Sequence, residues 1–463
     1  IVLYPSPSIG HLISLVELGK LILKHQPSFS ITILTFIAPY NTGSTASYIA
    51  AVSATVPSIT FHHLPAVALP LTSNSFEDLA FQLPHLLNPS VHQALNTISQ
   101  SCKLKAFIID FFNDAAHDVA TSLNIPTYYF FTSSGSSLAA FLYLPIIHQI
   151  TSKNIKDEDV LLHVPGLPPF LASLLPTPFH HRNSMAYNSF INSSLHMSKS
   201  CGLIVNTFES LEARPIKAAR VGLCVPNGRT PPIFCIGPLI ATIDDNPGGE
   251  HECISWLNSQ PRKSVLFLCF GSMGLFSANQ LMEIAIGLER SAHRFLWVVR
   301  SPPMDDINKG QSILAQPEPN LHQLLPKGFL ERTKDRGLVV KYWAPQVAVL
   351  SHDSIGGFVT HCGWNSVLES VCAGVPMIAW PLYAEQNLNQ VFVVEEMKIA
   401  LAIKKSEVGL VSAAELEERV SEMMDSERGK DMRERILGMR DGALLAAKQD
   451  GGSSYVDLCK LAD

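Results

Sequence analysis

The chain of 463 residues has little charge of either sign and no surplus of the basic kind. Charged residues make up 16%, and 34 Lys and Arg against 40 Asp and Glu leave a formal net charge of −6. With no Lys/Arg cluster anywhere, this balance argues against a nucleic-acid binder, which shows a basic face. No apolar run reaches the roughly 18 residues of a membrane span. The best candidate, Leu138–Ile150, is broken by Pro145 and His148. The opening Ile1–Tyr4 is too short, and too soon followed by Pro5 and Pro7, for a signal-peptide core. Ile1 in place of a methionine implies that a few residues precede it. Nine cysteines without a C-x-x-C pair suit reduced thiols better than a disulfide framework. The expectation is a cytoplasmic protein with no stable membrane insertion.

Several catalytic signatures are missing too. There is no H-E-x-x-H and no Cys/His cluster with zinc spacing. There is no G-x-G-x-x-G of a dinucleotide oxidoreductase and no G-x-S-x-G of a serine hydrolase. Asp157-Glu158-Asp159 formally matches the D-x-D of metal-dependent sugar transferases, but it sits in a loop-like stretch beside lysines, away from any strand end.

What the chain does have is apolar material, 47% of its residues, at a length too great for one ordinary domain. Short β-branched or aromatic runs alternate with longer helical stretches, the α/β pattern. Strands are expected at 1–4, 30–36, 59–64, 106–110, 127–131 and 203–206, then at 265–270, 295–300, 338–342, 357–360 and 377–379. Several are apolar at every position, as strands covered on both faces must be. Two stretches read as a first strand turning into a first helix: YPSPSIGHLISLVELGKLIL, near Gly10, and VLFLCFGSMGLFSANQLMEIAIGLE, at Gly271–Gly274. A repeated opening of this kind predicts two doubly wound, Rossmann-like domains. The polar, turn-rich Asp244-Asp245-Asn246-Pro247-Gly248-Gly249 marks the linker. The expected division is 1–243, a linker at 244–250, 251–445, and a tail helix at 446–463 packing back on the first domain. Thr151–Asp159 and Ser301–Pro319 read as surface loops.

The densest chemistry lies between Trp343 and Gln386. Trp343 ends a strand-like run, and Gln346 follows three residues on. A tryptophan there could cap the core, but an aromatic plane beside a carboxamide can also stack on a base and bond its edge. His361-Cys362-Gly363-Trp364-Asn365-Ser366 follows the strand GFVT. Gly363 permits a sharp turn, Asn365 or Ser366 can cap the next helix, and a helix start with its free N–H groups suits a phosphate. His361 could instead be an ordinary core histidine. Glu369 falls one helical turn after Asn365, where a carboxylate can accept from both hydroxyls of a ribose. Glu385-Gln386 offers an acceptor and an amide to sugar hydroxyls, or forms the end of a surface loop. Each element is weak alone; their order and spacing together are strong.

This segment closely resembles the signature box of plant family-1 UDP-dependent glycosyltransferases, and the likeness runs from PSPSIGHL through ISWLNSQP and FLCFGSMG to the GGSS tail. The resemblance implies two facing doubly wound domains of the GT-B type, with UDP-glucose as co-substrate and no metal or other cofactor. It implies that Trp343 stacks the uracil, Ala344 and Gln346 contact the nucleoside, and Glu369 binds the ribose. His361, Gly363, Asn365 and Ser366 would hold the pyrophosphate with Trp364 nearby, and Ser272 of the FGS turn matches another phosphate contact. Glu385 and Gln386 would read the sugar, a final Gln being associated with glucose over galactose. Ser8 stands where a glycine is expected before Ile-Gly-His.

His11 opens the first helix and Asp110 ends the strand AFIID. On the residues alone they read as a helix-start histidine and a strand-end aspartate. The resemblance makes them a general base and its partner, with His11 taking a proton from the acceptor hydroxyl and Asp110 orienting the ring. The implied reaction is a direct, inverting displacement on a UDP-α-sugar, giving a β-glycoside. Leaving-group charge would be met by His361 and the helix start. Phe111, Phe112, Phe130, Phe131, Phe141 and Tyr143 suit a flat phenolic acceptor such as a flavonoid, chalcone or isoflavone. The expected partners are therefore small molecules, and the protein a monomer. The other readings are a non-catalytic UDP-sugar-binding or regulatory protein of the same fold, and an oxidoreductase whose fingerprint is missing.

Overall fold

The computed structural model describes residues 1–38, 45–68, 76–151, 154, 160–182, 184–241, 251–303 and 317–462. The expected linker at 244–250 and the D-x-D-like Asp157-Glu158-Asp159 lie outside these residues, as do most of the two expected loops. The chain divides into two compact units, Ile1–Ala241 with Leu445–Asp463, and Thr242–Leu444. Among the described residues no helix is long and apolar enough to cross a membrane.

The first unit is built on a parallel seven-stranded sheet. Its strands are β1 (Val2–Tyr4), β2 (Ile31–Thr35), β3 (Ile59–His63), β4 (Phe107–Asp110), β5 (Thr127–Phe131), β8 (Gly202–Val205) and β9 (Ile233–Cys235), and β6 (Leu161–Leu162) and β7 (Phe170–Leu171) form a small antiparallel pair beside it. The sheet order is β3-β2-β1-β4-β5-β8-β9. β1, β4 and β8 are buried at every position, because helices cover both faces of the sheet. The helix Ser453–Ala462 returns to this unit and lies against β9.

The second unit repeats the plan with six parallel strands, β10 (Val265–Cys269), β11 (Arg294–Val299), β12 (Gly337–Lys341), β13 (Ile355–Thr360), β14 (Met377–Ala379) and β15 (Ala400–Ala402). Their order is β12-β11-β10-β13-β14-β15. Phe267, Phe295, Trp297 and Phe358 are fully buried in its core.

The order in which strands are added reverses once in each parallel sheet, between β1 and β4 in the first unit and between β10 and β13 in the second. Diverging connections open a crevice at the carboxyl ends of those strand pairs, which is where ligands bind in folds of this kind. The strands β9 and β15 are edge strands that the sequence patterning did not reveal. The helix that follows β10, Ala278–Ser291, also starts later than the Gly271–Gly274 turn suggested.

Candidate functional site

The crevice of the first unit holds His11 and Asp110. Asp110 is the last residue of β4 and fully buried, while His11 sits in the first turn of the helix Ile9–His25 that follows β1. His11 Nδ1 lies 2.6 Å from Asp110 Oδ2. A carboxylate can only accept, so Nδ1 carries the hydrogen and Nε2 becomes the basic nitrogen of the neutral ring. Asp110 Oδ1 accepts from the backbone N–H of Phe112 at 3.0 Å, which fixes the carboxylate. Thr132 Oγ1 lies 3.1 Å from His11 Nδ1, a contact that nothing in the sequence pattern pointed to. About a quarter of the His11 side chain is exposed, at 24%.

Beside this pair the rings of Phe111, Phe112, Phe81, Phe131, Phe141 and Phe190 form one cluster. Phe111 and Phe112 are 4.2 Å apart between ring centres, Phe81 and Phe112 5.1 Å, and His11 and Phe112 5.8 Å. Phe130 is fully buried in β5, and neither it nor Tyr143 makes a ring contact with this cluster among the described residues.

The crevice of the second unit gathers the rest. β10 ends at Cys269, and Gly271-Ser272 turns away at φ +72° for the glycine. The adjacent β13 ends at Thr360, so His361 follows beside that turn. His361 is buried, and burial pushes its imidazole down to about 4, which keeps it neutral. Its Nδ1 has no hydrogen-bond partner among the described residues. Its Nε2 edge is enclosed by two glycines. A Cβ added at Gly271 would stand 2.7 Å from Nε2, and one at Gly363 2.5 Å.

Gly363, not Asn365 or Ser366, is the N-cap of the helix Trp364–Ala373. Cys362 takes a left-handed φ of +66°, so the chain turns early and Asn365 and Ser366 fall inside the first helical turn. Trp364 and Ser366 are buried there, and Asn365 is half-buried. Glu369, half-buried on the same helix, is held by the side chain of Gln346, whose Nε2 donates to Glu369 Oε2 at 2.6 Å and to Ser366 Oγ at 2.9 Å. Loss of water around it raises the Glu369 carboxyl to about 7, with the Gln346 hydrogen bond pulling the other way.

Trp343 lies just past β12 and is 57% exposed, an unusual exposure for so large a ring, with Ala344 buried beside it. His251 meets its ring edge-on at 5.6 Å. Gln386 is buried, and its Oε1 accepts from the backbone N–H groups of Leu382 and Tyr383 at 2.8 and 3.0 Å. Its amide NH₂ also hydrogen-bonds the Tyr383 side chain, whose phenol burial pushes up to about 12. The half-buried Glu385 is 3.4 Å from Asn389 Nδ2, which also donates to the Cys362 carbonyl at 3.0 Å. Arg300 donates to the carbonyls of Ser272 and Tyr342, pinning two turns of the crevice together. Neither Arg300 nor Asn389 was apparent from spacing.

Tyr342, Cys362 and Ala384 all adopt positive φ, at 64°, 66° and 53°, although none is glycine. Each immediately precedes or adjoins a candidate residue: Trp343, His361 with Gly363, and Glu385. Such conformations cost on the order of 1–3 kcal/mol apiece and persist where the surroundings enforce them, most often at functional sites.

Comparison with known proteins follows the same lines. A family model described as UDP-glucoronosyl and UDP-glucosyl transferase matches residues 11–437. An anthocyanidin 5,3-O-glucosyltransferase from a Rosa hybrid cultivar is 54% identical over 473 residues, covering 100% of this chain and 98% of its own. Isoflavone 7-O-glucosyltransferase 1 of Glycine max is 48% identical over 485 residues, covering 100% and 98%. Phytolacca americana UGT2, solved with UDP-2fluoro-glucose and pterostilbene, superposes with a TM-score of 0.87 at 37% identity, covering 100% of this chain and 98% of that one.

Proposed function

We propose, from the premise that this chain belongs to the UDP-glucoronosyl and UDP-glucosyl transferase family and is a plant-type UDP-dependent glucosyltransferase with the GT-B fold, that it moves glucose onto a hydroxyl of a small phenolic acceptor with inversion at the anomeric carbon. The observation that carries this reading is the 2.6 Å contact between His11 and Asp110 at the crevice of the first unit, beside a cluster of phenylalanines. His11 Nε2 takes the phenolic proton as the oxygen attacks. Asp110 holds the ring and stabilises the imidazolium that forms, a contribution worth roughly 10²–10⁴-fold.

The acceptor class has two supports. The aromatic cluster suits a flat ring system. The relatives are named for anthocyanidin and isoflavone acceptors, and the superposable UGT2 was solved with pterostilbene.

UDP-glucose is placed in the second unit on chemical grounds. Trp343 offers an exposed face for the uracil, and Ala344 and Gln346 border the base. Glu369 offers a carboxylate to the ribose diol. Ser272, His361, Gly363, Asn365 and Ser366 surround the start of the helix Trp364–Ala373, with Trp364 packed behind them. Its N–H groups and positive dipole end meet the charge of the leaving diphosphate, so that no metal is required. Glu385 accepts from, and the Gln386 NH₂ donates to, hydroxyls of the glucose.

The test is mass spectrometry of the products formed from a panel of flavonoids, chalcones, isoflavones and simple phenols with UDP-glucose, UDP-galactose and UDP-glucuronate. A β-glucoside from UDP-glucose is expected. Tight UDP binding without turnover on any acceptor would instead favour a non-catalytic UDP-sugar binder.

A further inference from the structure

The turn after β4 is tied down at more points than one catalytic carboxylate needs. Asn113 Nδ2 donates to the Tyr4 carbonyl at 2.8 Å, and Asn88 Nδ2 to the Ala115 carbonyl at 2.8 Å. Between those anchors lies a second buried carboxylate, Asp114, for which the proposed chemistry has no use. Its Oδ1 accepts from the Tyr129 hydroxyl at 2.5 Å, and its Oδ2 lies 2.9 Å from His196 Nδ1.

These partners come from separate elements. Tyr129 is fully buried on β5. His196 is in the last turn of the helix Met185–Met197, which brings Phe190 into the aromatic cluster 6.0 Å from Phe112. The same helix donates from Ser193 Oγ to the Phe111 carbonyl at 3.5 Å.

Burying a carboxylate is unfavourable unless it is hydrogen-bonded and paired. Asp114 meets both conditions with donors from two different elements, so it is the shared anchor of three. The other charged groups nearby are consistent with a fixed pair. The hydrogen bond to Asp114 makes His196 more basic than usual, with Asp118 adding to that and burial and Lys199 opposing it. The His117 ring stacks on His196 at 5.3 Å, and burial followed by the His196 charge makes it less basic than usual. The two rings are shifted in opposite directions, which favours unlike protonation states for the stacked pair.

We propose that Asp114 is a positioning residue for the acceptor: through Tyr129 and His196 it locks the turn bearing Asp110, Phe111 and Phe112 to the helix bearing Phe190. This rests on the reading of His11 and Asp110 as the catalytic pair and of the phenylalanine cluster as the acceptor site. Removing the anchor loosens both walls of that cluster relative to His11 and leaves the second unit's nucleotide groups untouched.

The experiment compares Asp114→Asn, His196→Leu and His196→Asn in steady-state kinetics, with UDP binding followed by calorimetry. Asparagine at 196 keeps an N–H near the place of Nδ1, and leucine does not. The first two variants are expected to raise the acceptor KM at least fivefold with the UDP Kd within twofold of the parent, and His196→Asn to recover most of the loss. An unchanged acceptor KM, equal impairment of both His196 variants, or an equal loss of UDP affinity would overturn the inference. If Asp114→Asn does not fold, the half-buried His196 pair still reads the same contact. His11→Ala is the parallel control. Transfer retained there sinks the catalytic pair; transfer lost there while the Asp114 and His196 variants behave like the parent sinks this inference alone.

Discussion

Gln346 donates its amide hydrogen to Glu369 across 2.6 Å, joining the short helix Gln346–Leu350 that follows β12 to the helix after β13. The two residues are 23 apart in sequence. The contact holds a carboxylate in a place where water is scarce, which is why its proton is retained up to about pH 7. A carboxylate desolvated in this way is unfavourable for the fold.

Glu369→Gln is therefore expected to stabilise the ligand-free protein while impairing it. The folded state binds the Glu369 proton more tightly than the unfolded chain does, so stability falls as pH rises from about 4.5 to about 7 and the penalty is complete above that. The shift corresponds to on the order of 3 kcal/mol. Thermal unfolding should show the variant melting above the parent at pH 8 and level with it near pH 4.5. Calorimetry should show at least a tenfold loss of UDP affinity. A melting advantage that is the same at both pH values would mean that Glu369 is not the desolvated group.

The two glycines around His361 predict graded effects. Gly271→Ala meets His361 Nε2 at 2.7 Å and also forces a side chain into φ +72°, whereas Gly363→Ala meets the same atom at 2.5 Å from an ordinary φ of −61°. The left-handed conformation alone costs about 1–2 kcal/mol. Both variants should lose UDP affinity, and Gly271→Ala should show the greater drop in Tm. Parent-like UDP binding in both would place the diphosphate away from His361.

Much of this architecture was legible because it is local. Strands such as Phe107–Asp110 and Val265–Cys269 are continuous apolar runs, and a parallel sheet covered on both faces requires that. Of the four edge strands of the two large sheets, β3 and β12 were legible and β9 and β15 were not. Ile233–Cys235 is three residues between prolines, and Ala400–Ala402 is an alanine-rich trio without β-branching. The nucleotide candidates share one short segment, so spacing alone could group them. His11 and Asp110 are 99 residues apart, and only the strand order β1-β4 brings them together. Arg300, Thr132 and Asp114 act through tertiary contacts that no motif encodes. The left-handed Tyr342, Cys362 and Ala384 were equally hidden, since none is a residue type that announces a turn.

His11→Ala should separate binding from chemistry. The groups proposed to hold the nucleotide in the second unit are unaltered, so the UDP Kd should remain within about twofold, while kcat with a phenolic acceptor falls roughly 10²–10⁴-fold. Asp110→Asn keeps the shape of the side chain but allows the amide to donate to Nδ1, which turns the ring to the wrong tautomer. It should lower kcat nearly as far. Rates within threefold of the parent for either variant would remove the pair from the mechanism.

The tail offers a test of stability rather than of chemistry. β9 is the edge of the seven-stranded sheet, and an edge strand presents unpaired backbone groups. The helix Ser453–Ala462 covers it: Asp457 Oδ2 accepts from the Cys235 backbone N–H at 3.0 Å and from Arg220 at 2.5 Å, and Ser454 donates to the Gly237 carbonyl at 2.6 Å. Asp457 is only 6% exposed, so its replacement leaves the buried Cys235 N–H without its acceptor and takes one partner from Arg220, which still reaches Glu209 and the Ile233 carbonyl. Hydrogen bonds to charged groups contribute about 1.5–3 kcal/mol each, and leaving a partner unsatisfied adds to the loss. Asp457→Ala should therefore lower the melting temperature by several degrees and speed hydrogen exchange at Cys235, while Asp457→Asn, which keeps an acceptor for the Cys235 N–H, should do less. If the two variants melt together, the ion pair with Arg220 carries the effect and the cover over the strand edge contributes little.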